Sequence, residues 1–154
     1  MNSQNAATAE PNAEPRRQRL FTIESANRAL VLVRKVVQDI VDRYSELMRL
    51  RAECEELSAA ITTEDQLERL QERIEQATDA LNKPCAELRE IGCDLKDWAG
   101  GLIDFPAMHQ GRKVWLCWRL GEATVAHWHE LDAGFAGRCP IGDDFGQPPA
   151  AKVL

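Results

Sequence analysis

Long apolar runs are missing from this chain. The longest, Ala29-Leu30-Val31-Leu32-Val33, falls far short of the roughly 20 residues a membrane helix needs. The first twenty residues are polar and rich in Ala, Asn, Glu and Pro, without the apolar stretch of a secretory signal. The expectation is a cytoplasmic protein that neither spans a membrane nor leaves by a standard signal. Paired cysteines are missing too. Cys54, Cys85, Cys93, Cys117 and Cys139 are odd in number, widely spaced and contain no C-x-x-C, which argues against a disulfide framework or a zinc knuckle. They read as free buried thiols in a reducing compartment. Nor is there an excess of positive charge. Lys and Arg number 19 against 25 Asp and Glu, for a net charge of −6 and a pI near 5.1, so no general affinity for nucleic acid is expected.

What is present is helical periodicity. With 154 residues the chain can bury a core of its own. Residues 1–20 read as a disordered arm, 21–141 as one domain, and 142–154, rich in Gly, Pro, Ala and Asp, as a flexible tail. Thr22 suits an N-cap, with Phe21 placed to staple onto the first turn. From there Ile23, Ala26, Leu30, Val33, Val37, Ile40, Tyr44 and Leu47 keep a 3-4 spacing. The seam then shifts through Leu50, Cys54, Leu57 and Ile61. A second series runs Leu67, Leu70, Ile74, Ala77, Leu81, Leu88, Ile91 and Leu95, with Pro84 where an apolar residue is due. Sustained heptads mean two long helices packed along a narrow stripe. The short join from Ser58 to Thr63, where Thr62 and Thr63 both suit a cap, forces them antiparallel. Gly92 is the natural stop. Pro84 costs about 3 kcal/mol inside a helix, so a kink is expected near 82–84, or a restart with Asn82 as the cap.

Counting back from the turn, residue 91 lies beside about residue 33. Helix one therefore overhangs by about ten residues, or ~15 Å. The overhang is where Leu30, Val31, Leu32 and Val33 are consecutive, and such a segment is expected to be covered on several sides by the chain beyond Gly92. That part of the chain reads as β: Leu102 to Ala107, Lys113 to Arg119 and Thr124 to Glu130, with glycine-bearing turns between. Val114, Leu116 and Trp118 alternate with Trp115, Cys117 and Arg119. One face is thus expected on the hairpin, and the other covered or binding something. The fold class is α+β, mainly α. A long, coiled-coil-like antiparallel hairpin (21–92) carries a small C-terminal antiparallel β unit (93–141) on the overhanging start of helix one.

Gly101-Leu102-Ile103-Asp104-Phe105-Pro106-Ala107, Gly111-Arg112, Leu116-Cys117-Trp118-Arg119-Leu120-Gly121-Glu122 and Trp128-His129-Glu130-Leu131-Asp132-Ala133-Gly134-Phe135-Ala136-Gly137-Arg138 together resemble the bacterial and archaeal family of domain of unknown function 2203. The opening Phe21-Thr22-Ile23-Glu24 with Ala26-Asn27 is similar to that family's start. The resemblance spans roughly residues 20–141 and implies no activity, since the family has none assigned. One departure is His127, where the family pattern usually has an aromatic.

Chemistry-bearing residues gather in His127-Trp128-His129-Glu130-Leu131-Asp132. On a strand His127 and His129 share a face and can ligate one divalent metal such as zinc. Asp132 or Asp104 would be the third ligand, leaving a position open for a hydrolytic water. The competing and favoured reading has His129 bonded to Glu130, Asp132 or backbone groups, pinning the chain after the third strand. Asp104, Arg119, Glu122, His129, Glu130, Asp132 and Arg138 form a wider polar cluster. It can clamp a carboxylate or phosphate through Arg119 and Arg138. Alternatively it closes on itself by Arg138–Asp132 and Arg119–Glu122 pairs, the favoured outcome. Cys117 reads as an inert thiol in an apolar strand rather than a nucleophile. Trp115 and Trp118 beside Arg112 and Lys113 read as core rather than a base-stacking platform, because residues 92–141 carry five basic and six acidic side chains.

Charge along the hairpin is uneven. Glu53 to Asp79 holds nine acidic and two basic residues, and Arg28 to Arg51 six basic and three acidic. That polarity suits staggered self-association, or a basic protein partner at the acidic tip. The leading expectation is a non-enzymatic interaction or oligomerisation module with no cofactor, a homodimer through the hairpin forming a four-helix bundle with the β units outside. The alternative is a small-ligand or metal-binding protein, a hydrolase among the options, built around His129.

Overall fold

In the computed structural model, which describes residues 18–60 and 63–148, the first helix, α1, spans Ile23–Ala59, 37 residues. Its start is fixed by a reciprocal cap. The Ser25 amide donates to Thr22 Oγ1 at 3.0 Å and the Thr22 amide to Ser25 Oγ at 2.8 Å, satisfying two amides that have no helical partner. The apolar series points inward as its spacing requires: Ala26, Leu30, Val33, Val37, Ile40 and Leu47 are buried, joined by Val36 and Leu50. Phe21 turns toward the sheet, its amide donating to the Pro106 carbonyl at 2.7 Å and its ring edge-on to Phe105.

The second helix, α2 (Glu64–Asp79), starts on Thr63, whose hydroxyl accepts from the Gln66 amide; Thr62, the other candidate cap, lies outside the described residues. It returns antiparallel to α1, and Arg43 reaches across to the Ala80 carbonyl at 3.1 Å. The third helix, α3 (Asn82–Ile91), restarts one residue from where the sequence points. Leu81 holds the N-cap position, in a helical conformation and without a side-chain cap, and Asn82 is the first helical residue. Pro84 is therefore third in α3, within the first turn, where a missing N–H costs no helical hydrogen bond. It is buried on the seam in the place of an apolar residue. Gly92 ends α3 at φ 100°, a left-handed conformation that glycine adopts without penalty.

Five antiparallel strands come next in chain order: β1 (Asp94–Asp97), β2 (Leu102–His109), β3 (Arg112–Arg119), β4 (His127–His129) and β5 (Cys139–Pro140). The β2–β3 turn has Gln110 and Gly111 both at positive φ, as a two-residue hairpin turn requires. Two elements escape the apolar-alternation reading, the polar β1 and the two-residue β5. The third anticipated strand shrinks to His127–His129, because Val125 leaves the ladder: its amide donates to Asn27 Oδ1 of α1 at 2.8 Å. Residues 142–148, read as tail, fold back instead. Phe145 stacks on His109 with centroids 4.6 Å apart, and the Gly146 amide donates to His109 Nδ1.

Alternation divides the sheet. Ile103, Phe105, Ala107, Val114, Leu116 and Trp118 are buried in one cluster with Ala26, Leu30, Val33 and Val37 of α1, so the β unit covers the start of helix one. It covers one side only. Val31 and Leu32, expected to be buried, are 68% and 53% exposed. Consecutive helical residues point about 100° apart, and a single sheet reaches the stripe of Leu30 and Val33 but not its flank. The thiols also divide: Cys93 and Cys117 are buried, Cys54 and Cys85 half-buried, and Cys139 exposed.

Candidate functional site

The opposite face of the sheet carries the polar residues. Asp104 of β2 lies directly across from Cys117 of β3, and Cys117 across from His127 of β4; His129 pairs with Trp115. Because alternate residues share a face, Asp104, Cys117, Arg119, His127 and His129 all project away from α1. Three of them are nonetheless sealed from solvent: Asp104 and His129 are 3% exposed and Cys117 0%.

His129 is held at both ring nitrogens. Nδ1 lies 2.7 Å from the Glu130 carbonyl, and Nε2 lies 3.1 and 3.0 Å from the two Asp104 oxygens. Burial pushes the Asp104 carboxyl above its ordinary range, an effect that His129 partly offsets. The Cys117 thiol sits against Asp104 and the Arg138 guanidinium, and burial together with the Asp104 charge pushes it up to about 12.

Beside this trio Glu122 is a hub. Arg138 donates to its two carboxylate oxygens at 2.8 and 2.9 Å, and the Arg119 amide donates to Oε1 at 2.7 Å. Its backbone carbonyl accepts from Trp118 Nε1 at 3.0 Å. Burial alone would raise the Glu122 carboxyl; the Arg138 hydrogen bonds, with the Arg119 amide, outweigh that and hold it below the usual range. Phe135 lies between two guanidinium groups, Arg138 at 4.4 Å and Arg119 at 5.6 Å from its centroid.

The polar residues therefore pair with one another, but not as anticipated. Arg138 takes Glu122 rather than Asp132, and Arg119 meets Glu122 through its amide rather than its guanidinium. Glu130 forms an ion pair with Arg112 at the surface. Asp132 is exposed and makes no ion pair among the described residues. Among the described residues His127 Nδ1 has no hydrogen-bond partner, with Glu122 at 3.7 Å. His127, His129 and Asp132 do not converge as a ligand set; among the described residues the converging donors are Asp104, Cys117 and His129, all within 4.8 Å of one another. Sequence reasoning missed Cys117 as a member. Its phase with Arg119, opposite to Leu116 and Trp118, is the signal that places it on the polar face. A surface groove of about 530 Å³ away from this cluster is lined by residues including Leu20, Phe21, Ile23, Met108 and Phe145.

A helical hairpin whose overhang carries an antiparallel meander, with a closed polar cluster on the meander's far face, defines the architecture. The chain belongs to the family described as Uncharacterized conserved protein (DUF2203), whose model matches residues 19–141. No curated protein and no solved structure matches it. Among the described residues no helix is long and apolar enough to cross a membrane.

Proposed function

We propose that the protein is a non-enzymatic interaction module whose hairpin associates with a second copy of itself. The observation that carries this reading is the unfinished seam of the distal hairpin. In α2 only Leu70 is buried, while Leu67, Ile74 and Ala77, and Cys54 and Leu57 opposite, remain half-exposed. Two helices bury one stripe each, and their remaining apolar surface needs another layer. Charge polarity indicates which layer. The tip from Glu53 to Asp79 carries nine acidic and two basic residues. The exposed pair Val31 and Leu32 is flanked by the exposed cations Arg28 and Lys35. A staggered antiparallel pair sets each acidic tip, with its open seam, against the other copy's Val31–Leu32 patch. Attraction between the charges then fixes the register.

The sealed cluster on the sheet supports a non-catalytic reading, since hydrolysis needs a position open to water and substrate. Light scattering on a concentration series tests the proposal. A dimer mass is expected that weakens with salt, and Val31→Glu, at an exposed position that folding does not need, is expected to shift it to monomer. A strict monomer at every concentration overturns the reading and leaves the acidic tip to a different, basic partner.

A further inference from the structure

We propose that Asp104, Cys117 and His129 bind one divalent transition-metal ion of the zinc class, through a carboxylate oxygen, the thiolate Sγ and imidazole Nε2. This is independent of self-association. It also differs from the H-x-H site read in the sequence, since it uses one histidine, drops Asp132 and recruits the cysteine.

The donors come from three adjacent strands and are brought together by register. Asp104 and Cys117 are cross-strand partners, and His129 stands two residues beyond the partner of Cys117. Carboxylate, thiolate and imidazole are the three donor types zinc takes, and here all three ligand atoms lie within 4.8 Å of one another. Among the described residues no other group of three or more His, Cys, Asp or Glu side chains converges in this way.

The orientation of His129 is that of a ligand. The Glu130 carbonyl can only accept, so Nδ1, 2.7 Å away, carries the hydrogen. A metal-bound histidine donates its other ring N–H to such an acceptor, which fixes the tautomer and aims the free lone pair at the ion. Here that lone pair belongs to Nε2, which faces both Asp104 oxygens at 3.0 and 3.1 Å. Two acceptors this close require a positive centre between them, either a proton or a metal ion. A shared proton would hold Asp104 and His129 alone; the Cys117 thiol, which also sits against Asp104, adds the third donor that a metal ion takes and a proton does not need.

Charge balance agrees. A divalent ion with one carboxylate, one thiolate and a neutral imidazole sums to zero, which a buried site requires. Arg138, braced by its two bonds to Glu122, lies against Cys117 and can donate to a metal-bound thiolate. Three protein donors leave a fourth tetrahedral position, which the burial of Asp104, Cys117 and His129 keeps from bulk solvent and substrate. The ion would tie β2, β3 and β4 together at the centre of the sheet's far face, a structural role that couples binding to folding.

The test uses the full chain, stripped of metal by a chelator and then titrated with Co²⁺. The expected result is one ion per chain, with the thiolate-to-cobalt charge-transfer band in the near ultraviolet, tetrahedral d–d bands in the visible, and displacement by Zn²⁺. Cys117→Ser abolishes the charge-transfer band, and His129→Gln and Asp104→Asn abolish stoichiometric binding. His127→Gln and Cys139→Ser leave the spectrum unchanged. Arg138→Gln weakens binding about tenfold, as loss of an outer partner does. Because buried variants can fail to fold, circular dichroism is recorded for each, and the wild-type spectrum decides by itself. Wild-type protein that shows no thiolate-to-cobalt band at stoichiometric Co²⁺ overturns the proposal, as does a band that survives Cys117→Ser and disappears with Cys139→Ser.

Discussion

Replacing Glu122 by Gln keeps the side-chain shape and removes the charge that Arg138 is paired with. In the native protein the carboxylate accepts three hydrogen bonds, two from Arg138 and one from the Arg119 amide. A hydrogen bond to a charged group contributes about 1.5–3 kcal/mol. Glutamine retains one oxygen and can keep the Arg119 amide, but its NH₂ group turns a second acceptor into a donor facing a guanidinium. The side chains of Arg138 and Glu122 are 18% and 26% exposed, so water takes up part of the loss. A destabilisation of about 2 kcal/mol is expected, or a fall in Tm of roughly 6 °C for a domain of this size.

The pH dependence gives the sharper check. Arg138 and the Arg119 amide hold the folded-state carboxyl below its ordinary value of 4.5. Stability from this source is therefore fully present above that value and is lost as pH falls through the lower, folded-state one. Urea denaturation of wild type and variant at neutral pH and at steps into acid should show the gap narrowing only on the acid side. A variant as stable as wild type at neutral pH, or a gap that acid leaves untouched, refutes the reasoning.

Gly101 sits at φ +71°, where an added Cβ would come within 2.9 Å of both Leu120 Cβ and Val37 Cγ1. Gly101→Ala combines a left-handed backbone penalty with overpacking against α1 and is expected to cost about 3 kcal/mol. Gly111→Ala, at φ +76° with open space around it, carries the backbone part alone, about 1 kcal/mol; equal losses by chemical denaturation would contradict this packing. Thiol labelling of the native protein should modify Cys139 first. Cys93 and Cys117, both pushed up to about 12 by burial, should label only on unfolding. Mass spectrometry of the labelled peptides reads the order, and early labelling of Cys117 would mean that the cluster is open.

The hairpin is legible in the sequence because burial of a helix is written locally. Residues three and four apart share a face, so Ala26, Leu30, Val33, Val37 and Ile40 announce both the helix and its inward side. Gly92 and Pro84 mark its end and its interruption by their own backbone constraints. The alternation of Val114, Leu116 and Trp118 with Cys117 and Arg119 likewise identifies the inner face of β3. The polar β1 is not legible, since Asp94–Asp97 lacks the apolar alternation of a strand and owes its place to pairing with Leu102–Asp104. Nor is the exposure of Val31 and Leu32, because hydrophobicity shows what prefers burial and not how far one sheet reaches.

The polar cluster is readable only in part: local pattern names its members, but not who meets whom. Asp104 and His129 are 25 residues apart and Glu122 and Arg138 are 16 apart, so their meeting depends on strand register and loop path, which no local pattern encodes. Which segments are helical, and which residues seek the interior, is settled by spacing along the chain. That an aspartate, a cysteine and a histidine share one buried point is settled by packing, because only paired strands bring such distant residues within bonding range.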